Sequence, residues 1–228
     1  MPYSIVRSEV LARFLEVNQL LNAIKNLEDS VTPPAMPPLE YKLLKGFFYV
    51  HIYACIEFSM HKLIVNTLTL IKAKNIRYVD FENSFYTVAA SSSIQSLRDC
   101  SSKVIFDKSA DLFITIDKIE VSNFDETLLS KYLQNIWGKS FNQVTKTIGA
   151  SSFPITGQES AIFDEIVDNR NKVAHGRDNV ENVGSGPTYL DLKNKYDKIF
   201  EVISRYIDHF NNYYSAKEFI KPMERLNY

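Results

Sequence analysis

The sequence predicts an all-α protein, an antiparallel helical bundle carrying an irregular or small β-hairpin insertion near its middle. Three observations predict it. Long stretches repeat apolar residues every three or four positions, the period of one helix face. Two Thr-x-x-acid sequences, Thr156 to Glu159 and Thr188 to Asp191, have the pattern that opens helices. Hydrophobic residues make up 45% of the 228 residues and charged residues 23%, enough apolar surface for one sizeable core without staples. The chain reads as one domain, 1–228, with the insertion at about 75–124.

The first helix runs from Ser4 to Leu27, with Val6, Val10, Phe14, Val17, Leu20, Leu21 and Ile24 on one side. Four prolines between Thr32 and Pro38 then forbid helix and strand alike. Leu39 to Lys74 is a long second helix, apolar nearly all round between Leu43 and Phe58, which marks a central, buried element. In the insertion, Val104-Ile105-Phe106 and Leu112–Ile116 flank a polar stretch, Asp107 to Asp111. That pattern fits a small hairpin or irregular structure, and periodicity does not decide between them. Asp125–Ile136 and Lys139–Ile148 read as two shorter helices. The Thr156 helix should run to about His175, with Gly176 placed to end it. A polar, Gly-containing loop is expected up to Pro187. The last long helix then carries Leu192, Tyr196, Ile199, Phe200, Ile203, Tyr206, Ile207 and Phe210 as its stripe.

Composition bounds the function. Net charge is −1, whereas a protein living by non-specific nucleic-acid binding is usually more basic, so any such contact must come from local patches. Cys55 lies in an apolar run and reads as a buried free thiol, and with Cys100 it forms no C-x-x-C pair, which fits a reducing compartment. No charged-then-apolar leader is visible. The longest uncharged apolar stretch, Gly46 to Ile56, is too short for a bilayer, so a cytoplasmic protein without membrane contact is expected. No Gly-rich phosphate loop and no metal-ligand spacing involving His51, His61 or His209 stands out, and no cofactor is implied.

One helix concentrates the chemistry. On a wheel, Ile162, Phe163, Ile166, Val167, Val173 and Ala174 fall on one side, and Arg170 lands in the middle of it. A guanidinium in an apolar stripe is costly unless it is paired or faces something polar across an interface. Asn171 and His175 share a different side. Arg170 and His175 lie about 140° apart around the axis, so no one-face site is implied. Structural readings exist for both. Arg170 fits a buried ion pair with Glu57, and His175 fits a helix C-terminal histidine held by exposed carbonyls.

Val167-Asp168-Asn169-Arg170-Asn171-Lys172-Val173-Ala174-His175-Gly176 resembles the signature of HEPN-domain proteins, an Arg, a polar residue and a His four to six positions beyond the Arg. Leu133-Gln134-Asn135-Ile136, Phe141-Asn142-Gln143-Val144 and Tyr53-Ala54-Cys55-Ile56-Glu57 resemble the RiboL-PSP branch of that superfamily. The resemblance covers about Leu39–Lys74 and Asp125–Phe210. It implies a helical bundle that homodimerises around a composite site, and a metal-independent endoribonuclease acting in phage defence or as a toxin, with an antitoxin or defence-system partner.

The implied catalytic residues are Arg170, His175 and Asn171. RNA supplies its own nucleophile, the ribose 2′-hydroxyl. His175 would move protons near neutral pH, and Arg170 would stabilise charge on the phosphate oxygens. Asn171 would orient His175 or hold a phosphate oxygen. Lys172, Arg177, Lys131, Lys139 and Lys146 would hold the RNA backbone, although each taken singly fits a solvated surface. A different class of function, a non-catalytic helical dimer binding a partner protein or nucleotide, fits the same fold. Retention of Arg, Asn and His together favours the enzyme.

Overall fold

The computed structural model describes residues 2–31 and 37–228. Thr32 to Met36 of the proline-rich stretch lie outside the described residues. The described chain is helical, with no strand and only two isolated β-bridges, Arg77–Val121 and Phe81–Ile220.

The first helix, α1 (Ser4–Asp29), buries Val6, Val10, Phe14, Val17, Leu21 and Ile24, the expected stripe with Leu20 at its edge. Next, α2 (Leu39–Lys72) is the hub, packed on by α1 and by three later helices, α7 (Gly157–Ala174), α8 (Val180–Ser185) and α9 (Tyr189–Ser215). By length and composition α2 is the one described helix apolar enough to cross a membrane, with mean hydropathy 1.2. The four helices packed against it account for that character as core.

Hydrogen bonds fix the directions. Tyr3 and Thr67 meet at 2.9 Å while Tyr41 donates to Glu28 at 2.5 Å, so α1 and α2 are antiparallel. Lys45, buried on α2, donates to the carbonyl of Pro187 at 2.6 Å, just before α9 begins. At the other end, Lys74 lies over the Tyr214 ring. Thus α2 and α9 run the same way, and α1 opposes both. Burial pulls the Lys45 ammonium below the ordinary lysine range.

Four expectations are corrected. The hairpin is absent. Both apolar runs belong to one helix, α5 (Ile105–Ile116), which follows α3 (Tyr86–Ala89) and α4 (Ser91–Asp99). The supposed turn is helix interior, with Ser109 donating back to the Ile105 carbonyl and Lys108 paired with Asp111. The half-buried positions Lys108, Ser109, Leu112, Thr115 and Ile116 keep the helical period on the side facing the protein.

Second, Asp125–Ile136 is not an α-helix. The Asp125 carboxylate captures both the backbone N–H and the hydroxyl of Thr127, each at 2.8 Å, an alternative to helical pairing. Only a single 3₁₀ turn, Ser130–Tyr132, follows before α6 (Ser140–Ile148).

Third, the polar, Gly-containing loop expected after Gly176 contains α8, and its Gly184 lies in that helix against α2. A Cβ on Gly184 would come within 1.8 Å of the Lys42 carbonyl oxygen, and one on Gly46 within 2.3 Å of the Val180 carbonyl oxygen. The two helices cross that closely only because both residues lack a side chain.

Fourth, the insertion is two things. Its root belongs to the core: Ile76, Phe81, Phe85, Val88, Ala89 and Phe124 are buried, and Phe81 and Phe85 stack at 4.8 Å. The C-terminal segment closes over this root through Glu82 N–H to Phe219 and Lys221 N–H to Asp80, both at 2.9 Å. From Ser91 to Val121 no residue is buried.

Candidate functional site

A complete capping box sets the start of α7. The Thr156 side chain accepts from the Glu159 N–H, and the Glu159 carboxylate accepts from the Thr156 N–H at 2.9 Å. Phe163, Ile166 and Val167 then seat the helix in the core. Toward its C-terminus the stripe leaves the core, since Arg170 and Val173 are half-buried and Ala174 and His175 are exposed. Gly176, at φ +63, terminates the helix as expected.

The partners of Arg170 differ from the ion pair anticipated with Glu57. Its guanidinium carbon lies 3.9 Å from the centroid of the Tyr53 ring, a cation–π contact. Nη1 donates to Asn171 Oδ1 at 2.7 Å and to Asn135 Oδ1 at 3.4 Å. Among the described residues no carboxylate comes within ion-pair distance of it. All its partners are neutral, so its positive charge is held in place but not answered.

Asn135 reaches Arg170 through an unusual backbone. At φ 50 it occupies the left-handed region, which Asn tolerates better than most residues. The turn also aims the Ile136 N–H at the Tyr53 hydroxyl, at 3.3 Å. Burial and the Glu57 carboxylate push the Tyr53 phenol above its ordinary value, against the opposing pull of Ile136 N–H and Arg170. Glu57 therefore acts on Tyr53 at a distance, while itself lining a shallow cleft with His61 and Gln134. Tyr53 and Asn135 lie within the segments that carry the family resemblance, and neither has a role legible from the sequence. The signal for Tyr53 was its position on the helix face of Glu57, four residues on. For Asn135, no signal betrays a left-handed turn that forms only against α2 and α7.

The remaining candidates are scattered. His175 caps α7, its N–H donating to the Asn171 carbonyl at 3.1 Å. Its ring has no hydrogen bond or ion pair among the described residues, so within one chain it is hydrogen-bonded to neither Arg170 nor Asn171's side chain. Asn171 is committed to Arg170 and does not orient His175. Lys172 and Arg177 are exposed at the same helix end, with Lys172 donating to Asn169 at 3.2 Å. Lys139 is exposed at the start of α6, beside Gly138, whose N–H donates to Asp164 of α7 at 2.8 Å. Lys146 lies at the other end of α6, in a cleft with Ser84 and Gly149, away from Arg170's partners. Cys55 is buried, and burial pushes its thiol up to about 12. Among the described residues no three His, Cys, Asp or Glu side chains gather as a ligand set.

The family model described as RiboL-PSP-HEPN matches residues 8–212, a span that includes the insertion as well as the segments carrying the resemblance. No curated protein and no solved structure matches the chain.

Proposed function

The chain belongs to the RiboL-PSP-HEPN family, which gives it a ribonuclease-like or nucleotide-related role, and on that premise we propose a metal-independent endoribonuclease acting in phage defence or as a toxin. One observation carries the reading. Arg170 is fixed by a ring and two amides while no carboxylate among the described residues lies within ion-pair distance. A structural arginine is normally paired with an acid. One oriented by neutral groups is preorganised for an anion that arrives later, here the phosphate of RNA.

The chemistry needs His175 as well. A neutral histidine takes the proton of the 2′-hydroxyl, the O2′–P bond forms, and the P–O5′ bond breaks. A protonated histidine returns a proton to the departing 5′-oxygen, leaving a 2′,3′-cyclic phosphate and a 5′-hydroxyl. Arg170 stabilises the charge that develops on the non-bridging oxygens. His175 follows Arg170 by five positions, about 7.5 Å along the axis and 140° around it, so one helix does not close a site. A second copy does, placing each Arg170 near the other chain's His175. The apolar stripe that emerges at Val173 and Ala174 supports this as the meeting face.

The test is incubation of the protein with RNA in EDTA. Wild type should cleave and yield cyclic-phosphate ends. His175→Ala and Arg170→Ala should each lose on the order of 100-fold or more while keeping the helical signal and melting temperature of the parent. Asn171→Ala should lose about tenfold, since Asn135 and Tyr53 still hold the guanidinium. Equal cleavage by the His175→Ala protein would end the proposal. For the dimer, Val173→Glu should turn a species of twice the chain mass at tens of micromolar into a folded, inactive monomer; a monomeric, active wild type would refute it.

A further inference from the structure

A cleft of about 390 Å³ opens between α4 of the insertion and the chain from Leu128 to Thr147. That volume falls within the range of small-ligand sites, roughly 300–1,000 Å³. Its interior is apolar, with Leu129, Leu133, Ile136 and Val144 among the lining residues. Its polar members are not equivalent. Arg98 is answered by Asp99, through contacts of 2.7 and 3.2 Å. Lys131 has no carboxylate within ion-pair distance among the described residues, although its charge reaches Asp99 and Asp125 at longer range, and its ammonium lies 5.2 Å from the Tyr132 ring. Tyr132 lines the cleft and is 63% exposed, although an aromatic ring of that size is costly to leave in water. The side-chain amide of Gln143 has no hydrogen-bond partner among the described residues.

These features specify a ligand. The apolar interior and the Tyr132 ring accept a flat, stacking surface. Gln143 offers a donor and an acceptor, matching the edge of a heteroaromatic ring and unused by an alkyl chain. Lys131 provides one cation held in no close ion pair, suited to a single phosphate. We propose that this cleft is a nucleotide site, with the base in the apolar interior against Tyr132 and the phosphate at Lys131.

Its place in the fold fits either of two sources. Leu133 and Ile136 line the cleft, while Asn135 between them holds Arg170. One short segment therefore separates the cleft from the arginine. A nucleotide of an RNA strand lying across Arg170 would reach the cleft by crossing that ridge, and a free nucleotide would enter from solvent. The RNA source rests on the ribonuclease reading and the free-nucleotide source does not.

The experiment measures binding rather than cleavage. Protein carrying His175→Ala is titrated in EDTA with each of the four nucleoside 5′-monophosphates and, separately, with a short single-stranded oligoribonucleotide. Val144→Trp fills the cleft, while Gln143→Ala and Lys131→Ala change exposed side chains and guard against a misfolded tryptophan variant. The expected result is monophosphate binding that Val144→Trp abolishes and that Gln143→Ala and Lys131→Ala each weaken about tenfold. Loss confined to the oligoribonucleotide assigns the site to RNA, and loss confined to the monophosphates assigns it to free nucleotide; both support a nucleotide site. No monophosphate binding, together with unchanged oligoribonucleotide affinity in all three variants, overturns it, as does binding of dodecanoate in place of any nucleotide. A protein that binds in this way but cleaves no RNA would break the ribonuclease reading and leave this one standing.

Discussion

Helix α2 of the bundle and helix α5 of the insertion are similarly rich in apolar residues and are stabilised very differently. Helix α2 buries sixteen side chains or glycine positions, and α1 and α9 bury continuous stripes. Helices α4 and α5 bury none, and α5 leaves Phe106 and Phe113 84% and 67% exposed. Apolar content alone therefore does not make a core. Burial does, and it requires a partner on each apolar face. Each outer helix has one partnered face, and that of α4 walls the cleft, so α4 serves a site more than it serves stability.

The comparison can be broken at four points. The largest effect belongs to the hub, where Ile56 is fully buried. Ile56→Ala should cost about 2–5 kcal/mol in denaturant unfolding, through lost burial and the cavity left behind. A loss below about 1 kcal/mol would mean that α2 is not the centre of the core.

Gly184→Ala comes next. Its new methyl would meet the Lys42 backbone oxygen, which no rotamer change relieves. Separation of α8 from α2 should cost about 1–3 kcal/mol, the usual range for overpacking. An unchanged melting curve would show that the crossing is looser than described.

Asp80 tests the root of the insertion. It is buried, and burial alone would raise its pKa. Hydrogen bonds from Arg77 at 2.6 and 3.1 Å and from the Tyr228 hydroxyl at 2.6 Å outweigh this, so its carboxyl is held below the ordinary carboxylate range. A depressed native pKa contributes stability that is fully present above the unfolded value, near 3.9, and is lost as pH falls through the native one. Melting temperature should therefore drop as pH falls below about 4, and part of that drop should vanish in Asp80→Asn. At neutral pH the same variant should lose about 1–2 kcal/mol, discounted because Arg77 remains half in water. A variant whose acid titration overlays the wild type would remove Asp80 from this role.

The smallest effect is expected on the insertion's outer face. Phe106→Ser and Phe113→Ser should each change stability by no more than about 0.5 kcal/mol, as surface substitutions do. A loss above about 2 kcal/mol from either would mean that these rings are covered in solution and that the contrast between the two regions fails.

Legibility followed the same division. The stripes of α1, α7 and α9 and the all-round apolar run of α2 were readable because a helix fully packed on one side imposes the 3.6-residue period on its own sequence. Both capping boxes and Gly176 were readable because those devices act within four residues. Helix α5 was misread because its unpartnered face keeps Phe106, Phe113 and Ile114, which blurs the period into two apolar runs. Helix α8 escaped notice because Gly184 marks a close crossing, and glycine in a sequence looks the same in a loop.

At the candidate site, the sequence by itself determined which residues carry charge and protons: Arg170 on the α7 stripe, and Asn171 and His175 on another side. Local spacing decides that, since helical geometry fixes where each side chain emerges. Only the tertiary structure decided what holds Arg170. It replaced the carboxylate of Glu57 with the ring of Tyr53 and the amides of Asn135 and Asn171. These groups come from α2, from the turn before α6 and from α7, separated by up to 118 positions in the chain. A left-handed residue and a ring stacked on a guanidinium leave no periodic trace, because neither is a property of the segment that supplies it; each exists only where the packed elements meet.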